Sequence, residues 1–407
     1  MDATSRPSNY VTVGLASFIV LATINTTITS ALSQQVVLLL RPLLALIIVG
    51  SIVANVLKRG LKVRGFLGMA LYTVAAVYGI GLSMLTNSLG IVLESLFIDV
   101  PLTLSGIYLI SAARSASNGR FIQDTQVKFF VCYAVVTLIV TAAVGGFIPG
   151  APPQFNFEYG SSQIGQDQTY SLGLTNFYGL ATIAAAFLTI RSEKRWRTAL
   201  LGSLMLLFFA LSLMGGGRGE LFATLFIVLF IMLRHRPIYM TGTMLCIGLV
   251  LAFAVSDWSD LLDSWVIARR LADFAGGDLS SRDSLLLQAG ELLMAQPQCL
   301  FFGCGPGYFQ NYYNYEFSLY PHNVVAESVI SYGILITMIF MGFVAIGLVR
   351  YWKSVRRIDA FLLMTLFFFI VGMKSGNLFG SWLLVASVFN LAVLAVGSKS
   401  TARLQAA

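Results

Sequence analysis

Long apolar stretches separated by short polar segments run along most of the chain. A helix needs about 20 consecutive apolar residues to cross a bilayer, so this pattern predicts twelve membrane spans. The predicted spans are 10–31, 36–57, 65–86, 91–112, 127–148, 171–190, 198–214, 219–233, 238–256, 324–349, 359–373 and 379–396. Glu94, Asp99 and Pro101 interrupt the first half of the fourth stretch. The pattern therefore predicts an all-α polytopic membrane protein, with a single membrane domain over residues 1–407.

Composition agrees with a membrane protein and changes how the net charge is interpreted. The chain is 57% hydrophobic and 11% charged, and its mean hydropathy is +0.81. No soluble domain needs so much apolar surface. In a soluble protein the net charge of +8 would suggest a nucleic-acid partner, but here the basic residues lie in short loops between apolar spans. We therefore expect no nucleic-acid partner. The short polar stretch 1–9 shows no cleavable signal, so the first span is expected to be an uncleaved anchor.

Basic residues follow every even-numbered span. They are Lys58, Arg59, Lys62 and Arg64; Arg114, Arg120 and Lys128; Arg191, Lys194, Arg195 and Arg197; Arg234 and Arg236; Arg350, Lys353, Arg356 and Arg357; and Lys399 and Arg403. Because loops rich in Lys and Arg stay on the cytoplasmic side of a membrane, both termini are predicted to be cytoplasmic. The segment 257–323, between the ninth and tenth spans, is consequently predicted to be a large periplasmic loop.

This loop is predicted to carry two short helices. From Trp258 to Ala268 apolar residues recur at helical spacing, which is typical of an amphipathic helix lying on the outer leaflet. A second helix is predicted to begin at Ser280, with Asp283 completing a capping box, and to end before Pro297.

A glycine-rich segment, Phe-Gly-Cys-Gly-Pro-Gly at 302–307, follows the second loop helix. Its alternating glycines suggest a nucleotide-binding loop, but no strand precedes them and the outer face has no pool of nucleoside triphosphates. The segment is therefore predicted to be a tight turn. Cys299 and Cys304 could pair if the loop faces an oxidising compartment, although their spacing does not decide this.

Arg218 lies in Gly-Gly-Gly-Arg-Gly-Glu, at the boundary between two apolar spans. A guanidinium held near hydrocarbon costs several kcal/mol unless it is paired, so an arginine at this position suggests function. The flanking glycines allow another group to approach the backbone closely. We favour a functional role, and a structural salt bridge with Glu220 or Glu94 is the alternative.

His322 stands in Tyr-Pro-His-Asn at the end of the outer loop, directly before an apolar span. Several arginines and one imidazole at the outer leaflet suit a lipid-linked diphosphate as the substrate. Arginine binds phosphate oxygens bidentately without deprotonating, and imidazole is the usual base near neutral pH for a sugar hydroxyl. Arg282, in the first turn of the second loop helix, either binds such an anion or forms a surface ion pair with Asp283 or Asp278.

Aromatic residues cluster after the glycine-rich segment. They are Tyr308, Phe309, Tyr312, Tyr313 and Tyr315. Aromatic side chains at this depth usually form an interfacial belt, which is the interpretation we favour. The alternative is a stacking surface for sugar rings.

The order of these motifs resembles the O-antigen polymerase and O-antigen ligase superfamily. The motifs are Gly-Gly-Arg-Gly at 216–219, Arg282 in an outer helix, Phe-Gly-Cys-Gly-Pro-Gly-Tyr-Phe at 302–309, and Pro-His-Asn-Val-Val-Ala-Glu at 321–327 followed by Gly333. The resemblance covers about residues 200–350. It implies a C-type glycosyltransferase of the bacterial inner membrane that uses undecaprenyl-diphosphate-linked oligosaccharides and needs neither a metal nor another cofactor.

The resemblance also implies roles for individual residues. Arg218 and Arg282 would bind the diphosphate, and His322 would activate or orient the acceptor hydroxyl for an inverting attack on the anomeric carbon. Further candidate substrate contacts are Arg269, Arg270, Asn323, Glu327, Tyr312 and Tyr313. Glu327 matches the acidic position of the family. A helix beginning at His322 would place these two residues about 140° apart around its axis, which argues against a direct pair.

Three functions fit this pattern to different degrees. A polymerase extends a lipid-linked glycan, whereas a ligase transfers the glycan to the sugar core of lipopolysaccharide. We favour the polymerase, because the Pro-His-Asn and Gly-Gly-Gly-Arg-Gly forms look more like that branch, and a chain-length regulator would then be a partner. A twelve-span transporter is less favoured, because the sequence shows no repeat symmetry and no polar cluster at mid-bilayer.

Overall fold

The computed structural model describes the greater part of the predicted spans. The described residues are 9–27, 34–60, 63–86, 88–115, 119–143, 147–148, 154–155, 172–215, 217–235, 242, 282–315, 320–353, 360–375 and 382–390. The longer helices are α1 (Asn9–Thr27), α2 (Gln34–Arg59), α3 (Val63–Leu85), α4 (Leu89–Ser115), α5 (Gly119–Ala143), α6 (Leu172–Arg191), α7 (Arg195–Met214), α8 (Arg218–His235), α9 (Arg282–Ala295), α12 (Val324–Lys353) and α13 (Ala360–Ser375). Two helices of five residues, α10 (Pro297–Phe301) and α11 (Tyr308–Tyr312), follow α9, and residues 382–390 form α14. Strands β1 (Phe147–Ile148) and β2 (Gln154–Phe155) form one short antiparallel pair.

Among the described helices, seven are long and apolar enough to cross a membrane. Their apolar parts are Leu39–Lys58, Phe66–Leu85, Leu96–Arg114, Ile122–Ala143, Gly173–Arg191, Arg195–Met214 and Val324–Val349. This is the helix content of a polytopic membrane protein, as the hydropathy pattern predicts. Eleven predicted spans coincide with described helices, whereas 238–256 lies, apart from Gly242, outside the described residues. The total of twelve spans stays a prediction.

Two helices continue through polar segments that the apolar pattern assigns to an interrupted span or to a loop. The predicted span 127–148 corresponds to α5, which begins eight residues earlier, at Gly119. This polar N-terminal extension carries Asp124, which forms an ion pair with Arg191 at the end of α6. Helix α4 likewise continues through Pro101, and Trp382 of α14 donates a hydrogen bond to the buried carboxylate of Asp99.

The described helices form two compact units that alternate along the chain. The first unit comprises residues 1–19, 44–123 and 280–407, and the second comprises 20–43 and 124–279. In the first unit, Asn55 of α2 donates a hydrogen bond of 2.7 Å to the hydroxyl of Tyr108 in α4. Asn390 of α14 donates one of 3.1 Å to the carbonyl of Ile107, so these helices are joined by buried polar contacts as well as apolar packing.

Helix α6 lies at the centre of the second unit. It packs against α7 and α8, and 78% of its apolar part is buried. The ring of Phe177 lies edge-on to Tyr178 at 5.2 Å, and Tyr178 stacks on Phe208 of α7 at 6.0 Å. Aromatic packing therefore fixes the first half of α6, the half that approaches the glycine-rich link between α7 and α8.

Contacts within each unit agree with the predicted sidedness of the helix ends. Each of five contacts joins two ends that the positive residues assign to the same side of the membrane. At predicted cytoplasmic ends these contacts are Lys58 with Tyr10, Arg114 with Phe361 and Arg191 with Asp124, and at predicted outer ends they are Asn323 with Met373 and Gly217 with Thr175. The helices therefore run in the relative directions that the sequence predicts, while the assignment of one side to the cytoplasm stays a prediction.

Candidate functional site

Asn323 fixes the start of α12 in the first unit. Its amide oxygen accepts hydrogen bonds from the backbone N–H groups of Val325 at 3.0 Å and Ala326 at 3.1 Å. This is the N-cap arrangement for which asparagine is a preferred residue. Its amide nitrogen donates to the carbonyl of Met373 at 2.9 Å, near the end of α13. These bonds give Asn323 a structural role, and its contact with a substrate stays a prediction.

His322 directly precedes this cap and has an unusual backbone conformation. Its φ is 53°, in the left-handed region that residues other than glycine seldom adopt, although Asn, Asp and His do so more often than other side chains. Such a conformation costs about 1–3 kcal/mol and persists only where the surrounding structure imposes it. The imidazole is half-buried, and its centre lies 4.3 Å from that of the Tyr320 ring. The ring is therefore held in one direction by backbone and aromatic contacts.

Glu327 lies in the first turn of α12, with only 8% of its surface exposed. A carboxylate is favoured in this position by the partial positive charge at a helix N-terminus. The angle of about 140° between Glu327 and His322 was predicted for a helix that begins at His322, and the structure shows no such helix. The helix begins at Val324, and His322 precedes it in a non-helical conformation.

Replacing Asn323 with Ala is expected to lower the free energy of unfolding by about 0.5–2 kcal/mol, because two backbone donors lose their cap. Aspartate also caps helices but cannot donate to the Met373 carbonyl, so Asn323→Asp is the control that keeps the cap alone and should retain the part of the stability that the cap contributes. Thermal unfolding of the purified variants measures the difference. Equal midpoints for the Ala variant and the unaltered protein would contradict the capping role.

The segment Pro297–Gly307, here named the glycine hairpin, connects α9 to α11. A disulfide joins Cys299 and Cys304, whose Cα atoms lie 4.8 Å apart. The spacing of the two residues in the sequence had left this pairing open. Gly303, Gly305 and Gly307 have φ values of 84°, 89° and 77°. Three left-handed residues in alternation produce the tight turn that the sequence predicts.

Helix α12 is broken where the glycine hairpin packs against it. Gly333 has φ 81° and ψ 167° inside the helix, and this break frees carbonyl groups of the preceding turn. The N–H of Cys304 donates to the carbonyl of Ile330 at 2.7 Å, and that of Gly305 donates to Ser331 at 3.0 Å. A Cβ atom on Gly303 would lie 2.6 Å from the Ser331 oxygen. Backbone therefore packs directly on backbone at this break.

Three hydroxyl groups, two in the second half of α3 and one just after its last residue, bind the other side of the glycine hairpin. The hydroxyl of Tyr78 donates to the carbonyl of Phe302 at 2.5 Å. Thr86 donates to the carbonyl of Cys304 at 2.7 Å, and Ser83 donates to that of Pro306 at 3.2 Å. Sequence reasoning did not find these residues. Their signal is weak, since single hydroxyl residues in an apolar span usually bond to their own helix.

Tyr308, Tyr313 and Tyr315, here named the tyrosine cluster, pack against an apolar core between α9 and α12. This core contains Leu285, Ala289, Leu292, Cys299, Cys304, Phe309 and Ile330, and Ala326 packs against it. The hydroxyl of Tyr313 donates to the carbonyl of Gln288 at 2.8 Å, and Tyr315 donates to the side-chain oxygen of Gln288 at 2.6 Å. Tyr313 thus has a structural role, whereas Tyr312 is 37% exposed and its ring remains accessible.

Burial raises the pKa of Tyr313 above its ordinary value of 10.0, and the nearby carboxylate of Glu291 and neighbouring tyrosines add to this shift. Since the folded state favours the neutral phenol, its contribution to stability is fully present below pH 10. That contribution is lost as the pH rises through the raised pKa of the folded protein.

Arg218 is the first residue of α8 in the second unit, and only 8% of its surface is exposed. The N–H of Gly217 donates to the hydroxyl of Thr175 in α6 at 3.0 Å. A Cβ atom on Gly217 would lie 2.7 Å from a carboxylate oxygen of Glu220, which is itself 1% exposed. A cation at a helix N-terminus is opposed by the helix dipole, so the buried guanidinium requires negative charge nearby. Both the anion-binding and the Glu220 interpretations satisfy this requirement.

The structure brings together some predicted site residues. The start of α12 holds Glu327 and directly follows His322 and Asn323. Ala326 and Ile330 of the same helix belong to the packing around the tyrosine cluster. Arg282 is the first residue of α9, where its backbone alone is described. Arg269 and Arg270 lie outside the described residues, as does the predicted amphipathic helix around 258–268. Tyr320 and Thr175 are further contacts of the site residues that sequence reasoning missed.

An apolar groove of about 320 Å³ lies between α3, α12 and α14 in the first unit. Its lining residues are Leu71, Tyr72, Val74, Ala75, Tyr78, Ser328, Tyr332, Ile336, Ile339, Phe340, Phe343, Val385 and Phe389. Tyr78, Ser328 and Tyr332 lie at the end nearest the glycine hairpin and the start of α12. From Ser328 to Phe343 the groove follows α12 for about 22 Å, at 1.5 Å per residue.

Comparison with protein-family models, with curated proteins and with solved structures found no match to this chain. The superfamily resemblance therefore depends on the motifs themselves.

Proposed function

We propose that the protein is a membrane glycosyltransferase that polymerises undecaprenyl-diphosphate-linked oligosaccharide units at the periplasmic face of the bacterial inner membrane. The observation that carries this proposal is the conformation of His322. A half-buried imidazole in a strained backbone, fixed by the Asn323 cap and the Tyr320 ring, is the arrangement expected of a positioned base. Strain of this kind is concentrated at sites of function.

In the proposed reaction, the imidazole of His322 takes the proton of an acceptor sugar hydroxyl as the oxygen attacks the anomeric carbon of the donor. The bond from that carbon to the diphosphate oxygen breaks, and undecaprenyl diphosphate leaves with the bonding electron pair. A new glycosidic bond forms with inverted configuration. Arg282, in the same unit as His322, has the role of neutralising the charge that develops on the leaving diphosphate, and Arg218 keeps the anion-binding role that the resemblance implies.

The apolar groove supports a lipid-linked donor as the substrate. Its walls are apolar over most of their length, and three of its four hydroxyl-bearing lining residues, Tyr78, Ser328 and Tyr332, lie at the end near the first turns of α12. If a methylene group takes up about as much space as a water molecule, about 30 Å³, the groove accommodates roughly ten carbon atoms. A hydrocarbon chain lying there would place its polar end toward the start of α12, which carries His322.

Reconstitution of the purified protein in vesicles tests the proposal. Undecaprenyl-diphosphate-linked single repeat units are supplied on the side of the vesicle that His322 faces, with and without a lipid A-core acceptor. A polymerase is expected to yield a ladder of longer lipid-linked chains without the acceptor. Transfer only to the added core would identify a ligase, and movement of unreacted units across the membrane would identify a transporter. Protein-free vesicles are the control.

A further inference from the structure

We infer that the glycine hairpin is a re-entrant membrane segment whose tip, Phe301 and Phe302, contacts the hydrocarbon of the bilayer. This differs from the sequence prediction, which assigns the whole segment 257–323 to a periplasmic loop. The inference does not depend on the proposed function, because it follows from where the hairpin docks on two apolar helices.

The depth of the docking contacts carries the inference. Tyr78, which bonds to the carbonyl of Phe302, lies seven residues before the end of the apolar span Phe66–Leu85, or about 10 Å along the helix. Gly333 lies nine residues after the start of the span Val324–Val349, or about 14 Å along it. A Cβ atom on Gly333 would lie 2.8 Å from the carbonyl carbon of Phe302. The tip is therefore well inside the ends of both spans.

The backbone of the hairpin satisfies the condition for irregular structure at this depth. Non-helical backbone is tolerated in a membrane only where its polar groups are paired within the protein, since each unpaired group costs several kcal/mol. The carbonyls of Phe302, Cys304 and Pro306 accept from α3, as described above. The N–H groups of residues 302–305 donate to Gln298, Cys299, Ile330 and Ser331, in that order. A loop in water would not need this pairing.

Whereas the polar backbone groups of the hairpin are paired within the protein, the apolar side chains at its tip are exposed. Cys299 and Cys304 are 0% and 2% exposed, whereas Phe301 and Phe302 are 60% and 67% exposed. Two adjacent, exposed phenylalanines beside membrane spans require an apolar environment. Leu335 of α12, two residues after Gly333, is similarly 67% exposed and belongs to an apolar span. We therefore infer that the lipid hydrocarbon that covers Leu335 also covers Phe301 and Phe302.

Fluorescence quenching tests the contact with lipid. Phe302→Cys and Phe301→Cys are made separately in a Cys132→Ser, Cys246→Ser background, labelled with bimane, and reconstituted in vesicles. Brominated acyl chains quench a probe in hydrocarbon, and iodide quenches one in water. We expect strong quenching by brominated lipid and little by iodide at both tip positions. Two variants are used so that one poorly folded protein does not decide the result, and thermal midpoints identify such a variant.

Two further positions calibrate the measurement. Leu335→Cys is the control for lipid exposure, and Lys194→Cys, in the exposed link between α6 and α7, is the control for water exposure. Tip probes that behave like the Leu335 control support the inference. Quenching by iodide, as at Lys194, would overturn it and place the tip in water. Protection from both quenchers would also overturn it, because another part of the protein would then cover the tip.

Discussion

Replacing His322 with Asn is expected to lower the turnover of lipid-linked donor by about 10²–10⁴-fold, which is the usual contribution of a general base. Asparagine is chosen because it tolerates the left-handed conformation that His322 adopts. The substitution therefore removes the imidazole without adding backbone strain. Initial rates of polymer formation in vesicles, at saturating donor, measure the effect.

The fold of the His322→Asn variant should be unaffected, so a loss of activity in this variant would be due to the missing imidazole and not to unfolding. The Asn323 cap and the Met373 contact do not involve the imidazole, so the thermal midpoint should equal or slightly exceed that of the unaltered protein. His322→Gly, which also relieves the strain, should be equally inactive. Full activity in either variant would show that His322 is not the base.

Replacing Gly305 with Ala is expected to destabilise the protein by roughly 2–6 kcal/mol. The estimate combines about 1–3 kcal/mol for a left-handed non-glycine residue with about 1–3 kcal/mol for overpacking. The added Cβ atom would lie 2.5 Å from both the backbone nitrogen and the hydroxyl oxygen of Ser83, and φ is 89° at this position. Thermal unfolding and the fraction of monodisperse protein after extraction from membranes measure the loss.

Gly81→Ala is the matched control for this substitution. Gly81 lies in α3, two residues from Ser83, and a Cβ atom there would meet nothing within 4 Å. Since Ala favours a helix interior over Gly by about 1 kcal/mol, this variant should be as stable as the unaltered protein or more so. If Gly305→Ala and Gly81→Ala unfold at the same temperature, the close docking of the hairpin on α3 is wrong.

The sequence was sufficient to predict the seven described helices that are long and apolar enough to cross a membrane, because each depends on local composition. The predicted limits fail mainly at polar ends, where a distant partner decides whether the helix continues. Asp124 extends α5 because Arg191 lies beside it, and Asp99 is accommodated in α4 because Trp382 donates to it. Neither partner can be deduced from spacing, since they are 67 and 283 residues away.

The sequence indicated which residues belong to the candidate site, but not their conformations or their contacts. The position of His322 at a membrane boundary follows from hydropathy, but its positive φ and its contact with the Tyr320 ring do not. The amide of Asn323 was predicted to contact the substrate, which stays a prediction, and the structure shows that it also caps the start of α12 and binds α13. A side chain that suits a sugar hydroxyl suits a backbone N–H equally well, and sequence alone does not distinguish the two partners.

The glycine-rich segment illustrates the same limit. Its alternating glycines correctly predict a tight turn, because positive φ values are a local requirement. They also permit backbone to pack on Ser83, Ser331 and Gly333, and this close approach depends on residues in two other helices. The turn was therefore predictable, whereas its docking position was not.

The docking of the hairpin on α3 also orders the events of biosynthesis. Tyr78, Ser83 and Thr86 are synthesised 218–224 residues before the carbonyls they bind. At about 5–20 residues per second, α3 is in the membrane for on the order of 10–40 s before the hairpin leaves the ribosome. Because both bonded cysteines are buried in the docked hairpin, we expect the disulfide to form before docking. If the hairpin is re-entrant, as we infer, it docks beside a helix α3 that is already in the membrane, and α12, which is synthesised later, completes its binding site.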